Sequence, residues 1–298
     1  METELKHAAM IDTKLPRPGL EEKFAPFVRR DMYGPSERGD PPLAEKVLLG
    51  LALVTIVPAR VVVAVNMALF YYSICRVCTL GVEPRREDDQ EDYALREVLG
   101  GRCGPRILKS SDDENFGVAQ LEENERPGAI ISNHLSYIDI LYHMSSSFPS
   151  FVAKRSVAKL PIVGLVSKCL GCIYVQRESK ALDFRGVAGI VARRAHEAHL
   201  NKDAPMVMLF PEGTTTNGDF LLPFKTGAFL SNTPVLPVIL RYPYERFGPA
   251  WDSISGVRHF IFLLCQLVNH LEVTYLRLYY PSKQENDDPK LYADNIRR

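Results

Sequence analysis

The chain has 298 residues, of which 46% are apolar, and its formal net charge is zero. That apolar fraction can build a sizeable core in one large domain or two small ones. The 36 basic residues balance the 36 acidic ones, and six cysteines occur without a signal-peptide pattern. This composition excludes the strong positive field typical of nucleic-acid binding and argues against a disulfide framework. It predicts a protein of a reducing, cytosol-facing environment.

The first two segments are a polar arm and an apolar stretch. Residues 1–46 are polar and contain prolines, and they predict a loose cytosolic arm. Residues 47–80 predict a membrane anchor, because Arg60 and Arg76 are the only charged residues among them. A single helix of that length would measure roughly 50 Å, which exceeds a hydrocarbon core of about 30 Å. Pro58 also interrupts the stretch.

Three arrangements of residues 47–80 stay open. Two short apolar arms joined at Pro58 would form a hairpin that dips into one leaflet. An interfacial arm followed by a helix from about Val61 to Leu80 would instead span the bilayer. The third arrangement is a buried pair of soluble helices. Basic residues flank both ends of the stretch, so the positive-inside rule gives no orientation.

The chain changes character after a charged, glycine-broken linker at residues 81–127. Within residues 128–298, short apolar runs alternate with helical patterns, which predicts an α/β domain with a mostly parallel sheet flanked by helices. The predicted strands are Ala129–Ser132, Phe151–Ala153, Cys172–Val175, Val207–Phe210, Val235–Leu240 and Glu272–Tyr280. The predicted helices are Ser136–Ser146, Ile162–Leu170, Phe184–Leu200, Thr226–Leu230 and Val257–Leu271.

The end of the chain predicts one more helix. Asp288 followed by Pro289 is typical of a helix start, with proline at the first helical position. Only a few residues remain before Arg298, and a helix of this kind favours a C-terminally truncated or alternative product.

A histidine and an aspartate follow the first strand. His134 and Asp139 do not share a face of a continuous helix, so they meet only if His134 lies on the turn and Asp139 lies in the first helical turn. Ser136 and Asp139 resemble a capping box that starts a helix at Tyr137. If the two side chains meet, the carboxylate fixes the imidazole tautomer and leaves a general base. The alternative is that Asp139 is only a cap and His134 only a loop residue.

The surroundings of this pair contain no evident protein nucleophile. Ser132 and Ser136 are close in sequence, but neither lies in a Gly-x-Ser-x-Gly elbow, and no cysteine is near. A base without such a partner favours a substrate hydroxyl as the nucleophile.

A second segment, Phe210-Pro211-Glu212-Gly213-Thr214, follows another apolar run. Its glycine, its threonines and its backbone N–H groups could cradle a phosphate, although such turns are common. Lys225 and Arg177 could add positive charge to the same anion, and each alone is equally typical of a protein surface. The two segments therefore predict a base and an anion-binding loop at the ends of neighbouring parallel strands.

Four blocks now stand in order along the chain: Asn133-His134-x4-Asp139, Gly171–Arg177, Phe210–Thr214 and Val235–Val238. This order resembles the glycerolipid acyltransferase family, which includes the 1-acylglycerol-3-phosphate acyltransferases. The longer sequence around these blocks, from Phe24 to Asn295, is similar to plant members of the family that act on lysophosphatidylethanolamine. The resemblance implies a membrane-bound acyl-CoA:lysophospholipid O-acyltransferase of the endoplasmic reticulum, with its catalytic part facing the cytosol.

The resemblance also implies residue roles. His134 deprotonates the acceptor hydroxyl, and Asp139 orients His134. A second group holds the acceptor or shapes its pocket: Asn133, Arg177, Glu212, Gly213, Thr214, Lys225 and Pro237. The implied acceptor is lysophosphatidylethanolamine, with lysophosphatidate or lysophosphatidylcholine as alternatives. Acyl-CoA is a substrate, and no cofactor or metal is implied.

Three features depart from the family pattern. Thr215 stands where many members carry arginine or serine, which fits a larger head group than bare phosphate. The linker lacks the second hydrophobic segment expected in the plant proteins, and the C-terminus is short. These departures keep a rival interpretation open, in which the chain is an inactive or poorly folding membrane isoform.

Two cysteine pairs, Cys75/Cys78 and Cys169/Cys172, resemble halves of a zinc site. Their long separation and apolar surroundings instead favour core positions for Cys169 and Cys172. Cys75 and Cys78 lie near the predicted membrane edge, where palmitoylation is the alternative.

Overall fold

The computed structural model describes residues 24–29, 31–34, 41–81, 85–87, 90–92, 126–175, 181–251 and 254–298. The strands are β1 (Arg85–Glu87), β2 (Gln90–Asp92), β3 (Ala129–Ser132), β4 (Ser150–Lys154), β5 (Ile173–Val175), β6 (Val207–Leu209), β7 (Val235–Arg241) and β8 (Glu272–Tyr275). The α-helices are α1 (Leu43–Cys78), α2 (Ile138–Ser146), α3 (Val163–Cys169), α4 (Ala181–Leu200), α5 (Gly256–Cys265), α6 (Lys283–Asp287) and α7 (Pro289–Arg297).

Six strands form one sheet in the order β5-β4-β6-β3-β7-β8. The pairs from β5 to β7 are all parallel, and only β8 runs antiparallel to β7. The predicted mostly parallel sheet is therefore confirmed. Its central strand, β3, is completely buried and pairs with β6 on one side and β7 on the other. The carboxyl ends of these three strands lie together at one edge of the sheet.

Helices cover both faces of the sheet. One face packs Ile130, Met208 and Leu236 against side chains of α2, whereas the other packs Ile131 and Val207 against α4 and α7. Because side chains alternate between the faces of a strand, neighbouring residues of β3 serve opposite cores. This two-layer cover is the flanked sheet that the alternating pattern predicts.

Element ends differ from the predictions where tertiary contacts decide them. The predicted helix Thr226–Leu230 is only a short 3-10 turn, Thr226–Ala228. The helix predicted to reach Leu271 ends at Cys265, because Gln266 adopts an extended backbone. The predicted start of the last helix is confirmed, since Pro289 opens α7 and the Asp288 carboxylate accepts hydrogen bonds from two backbone N–H groups of its first turn.

The apolar stretch forms one continuous helix, α1, of 36 residues with Pro58 inside it. The predicted hairpin is therefore wrong: Pro58 removes one backbone donor, but the chain continues as a helix because intrahelical bonds satisfy the remaining backbone groups. Of its most apolar 18-residue window only 11% is buried, and its length and composition suffice to cross a membrane. The predicted pair of buried soluble helices is wrong as well.

Both ends of α1 pack on the α/β domain. Near its start, the Glu45 carboxylate pairs with the Arg246 guanidinium and accepts a hydrogen bond from the Tyr33 hydroxyl at 2.7 Å. Near its end, the buried Cys75 packs beside the buried Cys169 of α3. Helix α1 therefore lies along the domain rather than projecting from it.

The described part of the N-terminal arm is packed and not loose, contrary to the prediction. Arg29 is 2% exposed, forms an ion pair with Asp31 and donates to the Gly248 carbonyl at 3.1 Å. The Asn217 side-chain amide donates to the carbonyls of Ala25 and Val28. Paired charges and backbone hydrogen bonds, which a polar composition does not reveal, hold this segment on the domain.

Candidate active site

The polar residues of interest follow the three central strands. His134 lies two residues after the end of β3, Glu212 and Gly213 follow β6, and Tyr242 follows β7. Since β3 pairs in parallel with both neighbours, the loops that carry these residues meet at one edge. The prediction that the histidine and the anion-binding loop lie at the ends of neighbouring parallel strands is confirmed.

His134 and Asp139 are in direct contact. The His134 Nδ1 lies 2.9 Å from the Asp139 Oδ2, and the aspartate side chain is fully buried while 18% of the imidazole is exposed. Among the described residues, no side chain or backbone group is bonded to the other ring nitrogen, Nε2. A carboxylate at Nδ1 places the ring proton on that atom, so Nε2 keeps a lone pair that can accept a proton.

The Asp139 carboxylate is held by four donors. Besides the imidazole, its Oδ2 accepts from the backbone N–H groups of Leu135 at 2.7 Å and Ser136 at 2.9 Å. Its Oδ1 accepts from the Tyr242 hydroxyl at 2.5 Å. Burial and the nearby Asp139 carboxylate raise the pKa of Tyr242, so the phenol stays protonated and donates. A buried anion with this many donors is fixed in position.

Tyr242 is the residue that sequence reasoning missed. It lies far from Asp139 along the chain but only one residue beyond the end of β7. The available signal was a hydroxyl immediately after a strand that ends at the same sheet edge. Using that signal required the strand order, which places β7 next to β3.

The start of α2 differs from the predicted capping box. The helix begins at Ile138 with Tyr137 at the N-cap, and no side chain caps it. Half of the box is nevertheless present, because the Asp139 carboxylate accepts from the Ser136 backbone N–H. The same carboxylate therefore organises the turn and contacts the imidazole, so Asp139 is not only a cap; the general-base role of His134 stays a prediction.

Glu212 is placed beneath the catalytic loop. Its Oε1 accepts from the His134 backbone N–H at 3.0 Å, and its Oε2 accepts from the Leu222 backbone N–H at 2.9 Å. The residue is 4% exposed, and burial raises the pKa of its carboxyl, which the two N–H donors oppose. Both oxygens are occupied by backbone, so the geometry makes Glu212 a brace between two loops. A direct contact with substrate stays a prediction.

Gly213 and Lys225 lie against each other. Gly213 has a φ of +72°, a conformation that glycine adopts without strain, and an added Cβ would collide with the Lys225 ammonium and its methylenes. The Lys225 backbone N–H donates to the Pro211 carbonyl at 2.9 Å, which holds the lysine on this loop. Thr214, half-buried, is the next residue of the loop. The structure thus groups a positive charge with the turn proposed to bind an anion.

The remaining predicted site residues have structural contacts. The Asn133 side chain exchanges hydrogen bonds with the Leu240 backbone, donating to its carbonyl at 2.9 Å and accepting from its N–H at 2.8 Å. Pro237 is buried in β7 opposite Ile131. Asn133 therefore ties the loop after β3 to β7. Arg177 lies outside the described residues, so its role stays a prediction.

Aromatic packing fixes the plane of the imidazole. The His134 ring stacks on the Phe210 ring with centroids 4.0 Å apart and an interplanar angle of 17°. On another side, the Phe210 ring meets the buried His143 ring edge-to-face. Burial lowers the pKa of His143 to about 4, so that ring is neutral at physiological pH. His134 is thus held by Asp139 at one nitrogen and by Phe210 across its face.

The cysteines do not form a metal centre in the part of the chain that is described. All five described cysteines are free, and no group of three or more histidine, cysteine or acidic side chains there could hold a metal ion. The structure does bring Cys75 and Cys169 together, which their separation in sequence gave no reason to expect. A buried thiol pair between α1 and α3 is a packing contact.

This constellation matches known proteins. A family model described as Acyltransferase matches residues 111–241. The lysophospholipid acyltransferase LPEAT1 of Arabidopsis thaliana is 56% identical over 94% of this chain and 81% of its own length. The lysophosphatidylcholine acyltransferase of Drosophila melanogaster is 39% identical over 65% of this chain, and lysophosphatidylcholine acyltransferase 1 of Homo sapiens is 30% identical over 85%. These two matches span 37% and 48% of those longer proteins.

The fold, the paired histidine and aspartate, and the family model define an acyltransferase. The identity to the Arabidopsis protein, over most of both chains, shows that this chain belongs to the lysophospholipid acyltransferase family.

Proposed function

We propose that the protein transfers an acyl group from acyl-CoA to the free hydroxyl of a lysophospholipid, with lysophosphatidylethanolamine as the acceptor. The observation that carries this proposal is the hydrogen bond between His134 and Asp139, which leaves the second imidazole nitrogen without a bond to any described residue. Among the described residues, no serine or cysteine side chain is hydrogen-bonded to the His134 ring. A base poised in this way suits a hydroxyl that arrives with the substrate.

The reaction follows from the positions of these groups. The His134 Nε2 accepts the proton of the acceptor hydroxyl while the hydroxyl oxygen attacks the carbonyl carbon of the thioester. The carbon–sulfur bond then breaks, CoA leaves as a thiolate, and the imidazolium returns the proton to the sulfur. The buried Asp139 carboxylate stabilises the imidazolium and holds its orientation. Base catalysis of this kind is typically worth about 10²–10⁴-fold in rate.

The acceptor phosphate is assigned to the loop after β6. Gly213 lets the backbone approach closely, and the exposed Lys225 ammonium lies against it. Thr215, in place of the arginine or serine of many relatives, leaves less positive charge and suits a phosphodiester with a head group. The lysophospholipid acyltransferase from Arabidopsis supports the same acceptor class. Lysophosphatidate and lysophosphatidylcholine are the alternatives within the same chemistry.

The protein is assigned to the endoplasmic reticulum membrane with its site facing the cytosol, where acyl-CoA is found. Because both ends of α1 pack on the same domain, we expect the outer face of the helix to rest in one leaflet instead of crossing the bilayer. The N-terminal arm would then share the cytosolic side, and protease added to sealed microsomes would remove an N-terminal tag. A protected tag beside a digestible domain would establish a spanning helix.

Replacing His134 by alanine tests the proposed reaction. We expect a loss of about 10²–10⁴-fold in acyl transfer from labelled acyl-CoA, with unchanged expression and membrane retention. His199 offers a matched control, because it lies at the end of α4 on the opposite face of the sheet. His199→Ala should retain activity. Near wild-type activity of His134→Ala on every lysolipid would remove His134 from the reaction and sink the proposal.

The rival interpretation, an inactive membrane isoform, makes a different forecast. In that case the full chain purified in microsomes would transfer no label to any lysophospholipid, with or without His134. The intact hydrogen-bond set around Asp139 favours the catalytic interpretation, because a buried carboxylate with four donors is costly to keep without a role.

A further inference from the structure

Arg60 occupies an unusual position for a charged side chain. It is the only charged residue between Lys46 and Arg76 in the apolar helix α1. Its guanidinium donates to three backbone carbonyls at the end of α5: Leu264 at 2.9 Å, Gln266, and Leu267 at 2.6 Å. The charge therefore serves as the C-terminal cap of another helix.

A helix end leaves its last carbonyls without intrahelical partners and carries a partial negative charge. In water such carbonyls are solvated and need no arginine. In hydrocarbon each unsatisfied carbonyl costs several kcal/mol, and charged residues within membrane segments pair with backbone carbonyls. An arginine in the middle of an apolar helix that is bonded to three carbonyls gives those carbonyls a donor and gives its own charge a set of partners.

The end of α5 is also apolar and exposed. We call residues 264–268 the apolar turn. Leu267 is 70% and Val268 is 61% exposed, and upstream on α5 Phe260 is 45% exposed. From His259 to Leu271 the sequence contains no lysine, arginine, aspartate or glutamate. These side chains continue the exposed apolar surface of α1, on which Val61 to Val65 are solvent-facing, into a single larger patch.

We propose that the apolar turn is inserted into the bilayer beside α1, so that the protein contacts lipid acyl chains through two elements joined by Arg60. The occupant of this surface is the phospholipid bilayer. The surface is continuous with the membrane helix, and the half-buried charge between the two elements is bonded to carbonyls.

The helix that ends in the apolar turn also contacts the loop that carries His134. The His259 Nδ1 of α5 lies 3.2 Å from the Tyr137 hydroxyl at the start of α2. The Trp251 backbone N–H, just before α5, donates to the Leu135 carbonyl at 2.6 Å, and Leu135 follows His134 directly. Helix α5 therefore connects the apolar turn to the loop that carries His134.

Brominated lipids test the proposal, since they quench tryptophan fluorescence only within the acyl-chain region. The full-length Leu267→Trp variant, in a Trp251→Phe background, is reconstituted into phosphatidylcholine vesicles with brominated chains. The Leu53→Trp variant in α1 marks the membrane level. The Leu200→Trp variant is the matched control, because Leu200 is also 70% exposed but lies on α4 across the sheet.

We expect Leu267→Trp to lose most of its fluorescence and to emit at shorter wavelength, as Leu53→Trp does, whereas Leu200→Trp keeps its signal. Quenching of Leu267→Trp no stronger than that of Leu200→Trp would overturn the proposal. The same weak quenching would be seen if a second copy of the protein, instead of lipid, covered the turn. If the Trp251→Phe background does not fold, the same comparison is made with Trp251 retained and its quenching subtracted.

Arg60→Leu tests the link between the two elements. Without the guanidinium the three carbonyls need water, so the turn should withdraw toward the interface and its quenching should fall to nearly the level of the Leu200 control. Unchanged quenching would show that the turn stays in lipid without Arg60 and would overturn the role assigned to that residue. Neither outcome depends on whether the protein transfers acyl groups.

Discussion

Two buried carboxylates lie at the active edge of the sheet, and they are used differently. Asp139 follows β3 and Glu212 follows β6, and each side chain accepts from backbone N–H groups. Asp139 also contacts the His134 imidazole and the Tyr242 hydroxyl. Within the described part of the chain, the Glu212 carboxylate accepts hydrogen bonds from the backbone N–H groups of His134 and Leu222 and from no side chain. In the proposed reaction, one acid therefore orients the general base, whereas the other fixes the loop that carries it.

The difference teaches that burial and location alone do not make an acid catalytic. Both residues are nearly inaccessible, at 0% and 4% exposure, and both belong to blocks that the sequence singled out. What separates them is the donor that faces each oxygen. A side-chain donor that changes protonation during the reaction couples the acid to chemistry, and a backbone amide couples it to stability.

Asp139→Asn should break the catalytic side of this comparison and has the largest expected effect. The amide can keep its oxygen toward the imidazole and the two backbone N–H groups, because the Tyr242 hydroxyl can rotate to accept from the new NH₂. The charge that stabilises the imidazolium is lost, so turnover should fall about 10²–10⁴-fold while thermal stability changes little. Activity near that of wild type with a lowered melting temperature would reduce Asp139 to a cap.

Glu212→Gln should break the structural side. Each Glu212 oxygen faces an N–H donor, so the new NH₂ group must oppose one of them. We expect a loss of about 1–3 kcal/mol in unfolding free energy, as for one unsatisfied buried donor, and a fall in activity of less than about 10-fold. Measured side by side, the two variants should show opposite rankings in turnover and in stability. A larger turnover loss for Glu212→Gln would place Glu212 at the reacting atoms.

Tyr242→Phe should have a smaller effect, because it removes one of four donors to Asp139. We expect a decrease of about 3- to 10-fold in kcat, equal to about 1 kcal/mol, with little change in KM. Tyr279→Phe is the matched control, since the Tyr279 hydroxyl donates to the Glu285 carboxylate at 2.6 Å away from the site. The control should lower stability alone. Equal losses of kcat in both variants would show a general packing effect.

The sequence predicted local elements better than their arrangement. The strand Ala129–Ser132 is confirmed residue for residue, because an apolar run bounded by glycine and polar residues specifies a buried strand locally. The contact of His134 with Asp139 was also within reach, since both lie on one turn. The order of the strands, the partner Tyr242 and the packed arm around Arg29 depend on distant contacts that no local pattern encodes.

The continuous helix α1 also depends on contacts with distant residues that a local sequence pattern does not reveal. Pro58 and the length of the stretch argued against a single spanning helix, but they did not predict one continuous helix that packs along the domain. These contacts are made by Arg60, which meets α5, and by Cys75, which meets α3. Contacts along the domain let one long helix persist, so the expected bend at the proline is unnecessary.

Acid pH should extend the comparison to two buried histidines, His143 beside Asp139 and His259 within α5. Burial lowers the pKa of each to about 4. Asp139 and His134 act in opposite directions on His143, and Arg29 and Asp31 do so on His259. The unfolded state therefore binds more protons than the folded state between the unfolded pKa of about 6.5 and pH 4, so stability falls as pH falls through that window.

The expected loss is less than about 1 kcal/mol per histidine from pH 7 to 6, and about 3 kcal/mol by pH 4. Partners of the Glu45 and Glu285 carboxylates lower the pKa of each, so these groups also lose stability as pH falls. The measurement therefore compares melting curves of wild type, His143→Gln and His259→Gln in detergent across this range. Each variant should have a shallower dependence on pH than wild type. If the three slopes are equal, neutral burial of these histidines does not control the acid sensitivity, and carboxylates with a lowered pKa, such as Glu45 and Glu285, account for it instead.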